Sequence, residues 1–360
     1  MNKVYKFFIL IVAMTSLLFM GRYFLTREAS SAKSDNKNIY FYNWGDYIDP
    51  DILKEFEKET GYKVIYETFD SNEAMMTKID QAATAYDLAV PSDYTIEMMK
   101  EKNLLMPLDH TKIKGMDNLD PRFLNQAFDP ENKYSIPYFW GTLGIIYDKS
   151  KYTEKDFDSW RNLRDKKFEN EILIYDGARE TLGVGLLANG KSLNCKDEKT
   201  LKDTARDLKD FMKNVKAILA DEIKMYMAQK EASVGITFNG DAFIALEENE
   251  NLAYTIPKEG SNIWFDNLVI PKTSKNPDGA YALISYLLRP EVAAKNAEYI
   301  SYSSPNKKAK EYLDPEILED NSIYPDDNVI EKLEIFENLG QEMTILYNDL
   351  FLDLKISPQS

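Results

Sequence analysis

Residues 38–70 read NIYFYNWGDYIDPDILKEFEKETGYKVIYETFD, and they pass from strand to helix to strand. Ile39–Tyr42 alternates like a strand. Asp49-Pro50 then opens a helix, with Asp as N-cap and Pro in the first turn. Ile52, Leu53 and Phe56 supply its apolar face, Gly61 ends it, and Val64–Tyr66 is the next strand. Moving outward, a helix opens near Asp70-Ser71, Leu88–Val90 is a third strand closed by Pro91, and a helix follows over Tyr94–Glu101. A βαβαβ run at roughly 25-residue spacing predicts a parallel sheet covered by helices.

The second half repeats the style. Ile172–Tyr175 is a strand, followed by helices over Arg179–Ala188 and from about Glu198 to Asn214. Strands are expected around Ala217–Leu219, Ser233–Phe238, Leu252–Ile256 and Trp264–Ile270. Pro277–Leu288 and Pro290–Glu298 form a helix pair broken at Arg289-Pro290, and helical patterns resume near Asp327 and run to the C-terminus. The apolar, Gly-punctuated stretch Ile136–Tyr147 suits a segment leaving one lobe and entering another. The expected fold class is α/β with two lobes, each a mostly parallel sheet, joined by hinge crossings around a cleft. The division read from the sequence is 36–143 plus 268–315 for lobe 1, and 144–267 plus 316–360 for lobe 2.

Lys3 and Lys6 precede an apolar run from Phe7 to Met20, and a polar Ser/Ala-rich stretch follows. Residues 1–35 are therefore read as a signal peptide or an N-terminal membrane anchor, which places the folded part outside the cytoplasmic membrane, at the cell surface or in a periplasm. No Cys follows the run, which speaks against a lipidated N-terminus. The formal charge is −16, and without residues 1–35, which carry a net +3, it is −19. That balance argues against nucleic acid as a partner; it is also the ordinary charge of a soluble protein. Cys195 is the single cysteine, so no intrachain disulfide is possible.

Catalytic signatures are missing. His110 is the only histidine and sits in a Pro/Asp-rich loop. There is no G-x-S-x-G elbow, no H-E-x-x-H and no Cys/His zinc spacing. No phosphate-binding glycine loop follows a strand. These absences favour binding over catalysis, with no cofactor and no metal expected, and the chain is expected to act as a monomer.

In parallel α/β lobes, ligands sit at the carboxyl ends of strands. Strand ends here carry acids, mostly beside rings: Trp44, Asp46 and Tyr47; Ser92, Asp93 and Tyr94; Asp176 and Glu180 after the strand that closes on Tyr175; Phe238 with Asp241; and Trp264 with Asp266 at the opening of their strand. Carboxylates hold ammonium groups, and flat rings cover methylenes while adding cation–π attraction. A linear polycation is the matching ligand class.

Five stretches carry a resemblance: FYNWGDYIDP at 41–50, ETGYKVIYETFDSNEAM at 59–75, FDPENKYSIPYFWGT at 128–142, DGARE at 176–180 and LLRPEVAAKNAE at 287–298. With them, essentially the whole chain after the N-terminal segment resembles the spermidine/putrescine-binding proteins that feed polyamine ABC importers. The resemblance implies ligand contacts from Trp44, Tyr47, Ser92, Tyr94, Glu180, Trp264, Asp266 and Tyr302. It implies that Trp264 and Tyr302 sandwich methylenes, that Asp266 and Glu180 take ammonium groups, and that Tyr47 or Ser92 helps by hydrogen bonding. It also implies partners: membrane permease subunits and their cytoplasmic ATPase. The sequence departs from the family pattern at Gly177, where an acid is usual, at Phe238 in place of Trp, and at Glu337 near a family Gln. The alternatives are another small solute on the same fold, or an exported hydrolase.

Overall fold

The computed structural model describes residues 37–82, 84–321 and 323–356, so the segment read as signal or anchor lies outside the described residues. Local signals act where the sequence puts them. Strand β1 (Asn38–Trp44) runs into helix α1 (Pro50–Thr60), whose Asp49 cap accepts the Asp51 N–H at 2.8 Å. Gly61 stops the helix in the left-handed conformation at φ +74°, its N–H bonded to the Glu57 carbonyl. A cap of this kind is worth about 1 kcal/mol. Strand β2 (Lys63–Phe69) then pairs parallel with β1, and helix α2 (Asn72–Asp80), capped by Ser71, returns to the short strand β3 (Leu88–Ala89), also parallel to β1. Helix α3 (Asp93–Glu101) follows.

Strand β4 (Ser135–Asp148) is 14 residues long and buried throughout. It leads to a second set of alternating elements: β5 (Ile172–Tyr175), α4 (Ala178–Ala188), α5 (Glu198–Met212), β6 (Val215–Leu219), α6 (Ile223–Ala228), β7 (Val234–Phe238), α7 (Asn239–Glu248) and β8 (Leu252–Thr255). Strand β9 (Ile263–Val269) precedes helices α8 (Pro277–Leu287) and α9 (Pro290–Ile300). The chain closes with α10 (Pro315–Glu319), α11 (Asp327–Ile330) and α12 (Gln341–Ile356). The helix expected from Asp327 to the C-terminus is interrupted, because residues 331–340 form a turn and irregular backbone that bridges Asn262 at Glu334.

The strand order is β2-β1-β3-β9-β4-β7-β5-β6, with β8 beside β4. Parallel pairing holds within β2-β1-β3 and β6-β5-β7; every pairing that involves β4 or β9 is antiparallel. The first half of β4 pairs with β9 and its second half with β7 and β8. One strand thus belongs to both lobes. Apolar side chains separate accordingly. One core gathers Phe41, Phe56, Tyr86, Phe139 and Phe265; a second gathers Trp160, Phe168, Leu182, Leu208 and Tyr347.

Three passages of the chain meet side by side between the cores. The Leu143 N–H donates to the Asn262 carbonyl, Ser261 Oγ donates to the Leu143 carbonyl at 2.6 Å, and the Ile263 N–H donates to the Glu334 carbonyl. Backbone ladders of this kind bend without losing bonds, which suits a hinge. The passages at 261–263 and 334–336 differ from the divisions read at 267 and 315. β9 joins the first sheet through β3, and Ile323 and Tyr324 are buried in the first core, so the chain changes lobe earlier in one case and later in the other. Among the described residues no helix is long and apolar enough to cross a membrane.

Candidate functional site

Strand period places the first acid. In β9, Trp264 and Asp266 point to one face while Phe265 points to the other, where it meets Phe123 at 5.4 Å between centroids. Asp266 is buried, and its two carboxylate oxygens accept from the Tyr47 hydroxyl and the Ser92 hydroxyl, each at 2.7 Å. Tyr47 comes from the β1–α1 turn and Ser92 from the β3–α3 turn, so two strand ends converge on a carboxylate from the middle of β9. Burial pushes the Asp266 carboxyl up to about 6, against the lowering effect of those two hydroxyls. No ion pair reaches Asp266 among the described residues.

Rings surround this acid. Tyr302 stands 5.7 Å from Tyr47 and 5.1 Å from Trp264 between centroids, the last pair perpendicular at 88°. Helix α9 ends at Ile300 and Ser301 takes the left-handed conformation at φ +66°, which turns Tyr302 inward. Phe238, at the end of β7, meets the edge of Trp264 at 6.2 Å and Tyr175 at 4.9 Å. Gly240 packs so closely under Tyr302 that a Cβ would fall inside the ring. The two walls of the cleft therefore touch through aromatic edges. A methylene chain between two ring faces needs roughly 7 Å, two van der Waals contacts. Capture between Trp264 and Tyr302 thus requires one ring to move.

The second wall is built from β5, β6 and β7. Glu180, in the first turn of α4, is half-buried, and burial pushes its carboxyl up. No side chain donates a hydrogen bond to it among the described residues, and its carboxylate lies over Gly177, where a Cβ would collide with it. Any side chain at 177 would need Glu180 to turn elsewhere. Asp241, in the first turn of α7, is buried and pairs with Lys224 at 2.7 Å.

The remaining candidates sit apart from this cluster. Tyr94 is one step removed: Asn72 Nδ2 donates to its hydroxyl and to Ser92 Oγ, both at 3.0 Å. Asp93 is a backbone brace, its oxygens accepting the N–H groups of Tyr94 and Phe265, with its carboxyl pushed up by burial to about 8. Trp44 packs on Phe69 at 4.5 Å, with its indole N–H buried and without a protein partner. Asp46 is exposed at φ +49°. Asp176 pairs outward with Lys355 at 2.7 Å, and Glu337 is exposed. Arg179 does not pair with its acidic neighbours. Its guanidinium packs on Phe336 and Tyr347 and donates to Asn194 Oδ1 at 2.8 Å, tying α12 to α4. The His110 Nε2–H donates to the Asn132 carbonyl, a loop-fastening bond. No group of three or more His, Cys, Asp or Glu that could hold a metal occurs among the described residues.

Asn72, Tyr175 and Lys224 were not singled out from the sequence. Asn72 lies in one of the quoted family stretches and Tyr175 is the last residue of a predicted strand, so both had a signal. Lys224 had none.

The two-lobed α/β fold matches known proteins. The sequence pattern of the bacterial extracellular solute-binding proteins fits residues 51–325. This chain belongs to that family. A spermidine/putrescine-binding periplasmic protein of Salmonella typhimurium is 39% identical over 340 residues, covering 94% of this chain and 97% of that protein. Among solved structures, the spermidine/putrescine ABC transporter substrate-binding protein PotD of Streptococcus pneumoniae is 52% identical with a TM-score of 0.84, covering 89% of this chain and 98% of its own. A putative spermidine/putrescine ABC transporter protein of Listeria monocytogenes is 55% identical with a TM-score of 0.80, covering 89% and 99%. The first of these is named as a binding protein and the second as the substrate-binding protein of an ABC transporter.

Proposed function

We propose that this solute-binding protein captures a polyamine outside the cytoplasmic membrane and hands it to the permease subunits of an ABC importer, driven by a cytoplasmic ATPase. The observation that carries the reading is Asp266. It is a buried carboxylate oriented by two neutral hydroxyls, bordered by Trp264 and Tyr302, with no cation beside it among the described residues. Leaving a carboxylate buried without a counter-charge is costly. A ligand ammonium offsets that cost, and the rings cover the methylenes beside it. Glu180 on the facing wall takes a second ammonium, so closure of the lobes joins the two ends of the ligand. The names of the relatives agree with this ligand class. Residues 1–35 serve export, as a cleaved signal or a tether.

Titration calorimetry with putrescine, spermidine and spermine tests the reading directly. Binding of at least one is expected; no heat and no thermal shift with any of them would sink it.

A further inference from the structure

One acid of the cleft already holds a cation. Asp241 follows Phe238-Asn239-Gly240 at the start of α7, is 6% exposed, and accepts from Lys224 Nζ of α6 at 2.7 Å. The Lys224 side chain is itself largely covered, at 29% exposure. The pair stands at the ring cluster. Gly240, its neighbour in sequence, touches the Tyr302 ring. After burial, Asp241 is the strongest influence raising the Tyr302 hydroxyl, ahead of Asp266 and Asp221. Tyr302 therefore lies between Asp266 on one wall and the Asp241–Lys224 pair on the other. Asp221, exposed at the end of β6, adds negative charge on the same side and raises Asp241.

Two carboxylates, Asp266 and Asp241, thus stand on either side of the Tyr302 ring, with Asp221 beyond Asp241, and among the described residues Lys224 balances the charge of Asp241 while no cation pairs with Asp266. We propose that Lys224 is a specificity-determining residue: its ammonium takes the place of a ligand ammonium at Asp241, so the cleft recognises di- and triamines and discriminates against the tetraamine. This rests on the polyamine reading above. The physical basis is repulsion. A further ligand ammonium brought to Asp241 would meet a like charge a few ångströms away, and displacing Lys224 would break a short, largely covered ion pair.

The test uses the full chain, titrated with putrescine, spermidine and spermine as wild type and as Lys224→Met. The substitution is expected to raise spermine affinity relative to putrescine by about tenfold, the worth of one additional ammonium–carboxylate hydrogen bond. Adding Asp241→Asn to Lys224→Met is expected to cancel that increase. Lys224→Gln carries the same expectation and replaces Lys224→Met if that variant does not melt cooperatively. An unchanged spermine-to-putrescine ratio in the folded variant overturns the proposal while leaving the polyamine reading intact. A wild type that binds none of the three amines overturns both.

Discussion

The two walls of the cleft hold their acids in opposite ways. On the first wall, Asp266 is fixed by Tyr47 and Ser92, neutral donors that orient the carboxylate and leave its charge for something else. On the second, Glu180 has no side-chain donor and Asp241 is satisfied by Lys224. On the proposed reading the first wall is preorganised for one cation, while the second has one acid without a side-chain donor and one already paired. Preorganised charge costs little reorganisation when ligand arrives, so affinity should concentrate on the first wall and discrimination on the second.

The largest expected effect is at Asp266. Asp266→Asn should lower polyamine affinity by about 2–5 kcal/mol, since a buried ammonium then faces an amide instead of a carboxylate; calorimetry measures it. A loss under about tenfold would break the comparison at its strongest point. Glu180→Gln should cost less, about 1.5–3 kcal/mol, the value of a charge-assisted hydrogen bond made by a half-buried group. If it cost more than Asp266→Asn, the second wall would be the anchor.

Acidity gives a third test. Burial holds the Asp266 carboxyl at about 6, above its ordinary 3.8, and a ligand ammonium binds the ionised form. Affinity should therefore fall as pH falls through about 6, by about tenfold per unit well below it, with protons released on binding. The ligand-free protein has the opposite dependence. With this carboxyl raised by folding, its stability contribution declines as pH rises from about 4 to about 6. Asp266→Asn should flatten the binding profile in that range; a profile unchanged by that substitution would assign the titration elsewhere, Glu180 and Asp241 being the other cleft carboxyls raised by burial. The smallest effect is expected from Tyr47→Phe, which removes one of the two donors to Asp266 and should weaken binding by about 0.5–1.5 kcal/mol while moving the acidic midpoint upward. Paired titrations at neutral pH and near pH 5 separate those two consequences.

Much of the first wall was legible in the sequence. Asn43-Trp44-Gly45-Asp46-Tyr47 and Pro91-Ser92-Asp93-Tyr94 follow strands, and strand period alone puts Trp264 and Asp266 on one face. Which member of each acid-and-ring group turns inward was not legible. Asp46, Asp93 and Asp266 all follow the same pattern, yet the left-handed backbone leaves Asp46 in solvent, two backbone N–H groups occupy Asp93, and only Asp266 faces the rings. Asp176 and Glu180 shared one motif, but Lys355 draws Asp176 outward, a partner 179 positions away. Lys224 belongs to a six-residue helix with no motif around it, and its role depends on packing against α7 that no local pattern encodes.

By itself the sequence determined the alternation of strands and helices, their caps, the likeness to a family, and which acids and rings stand near strand ends. Those features are local, set by period, capping chemistry and turn residues within a few positions. The tertiary structure alone decided where the chain changes lobe, which acids keep a free charge, and which are balanced by Lys224 or Lys355. Each of these depends on burial and on partners far apart in the chain, and electrostatic balance in a cleft is a property of distances in space.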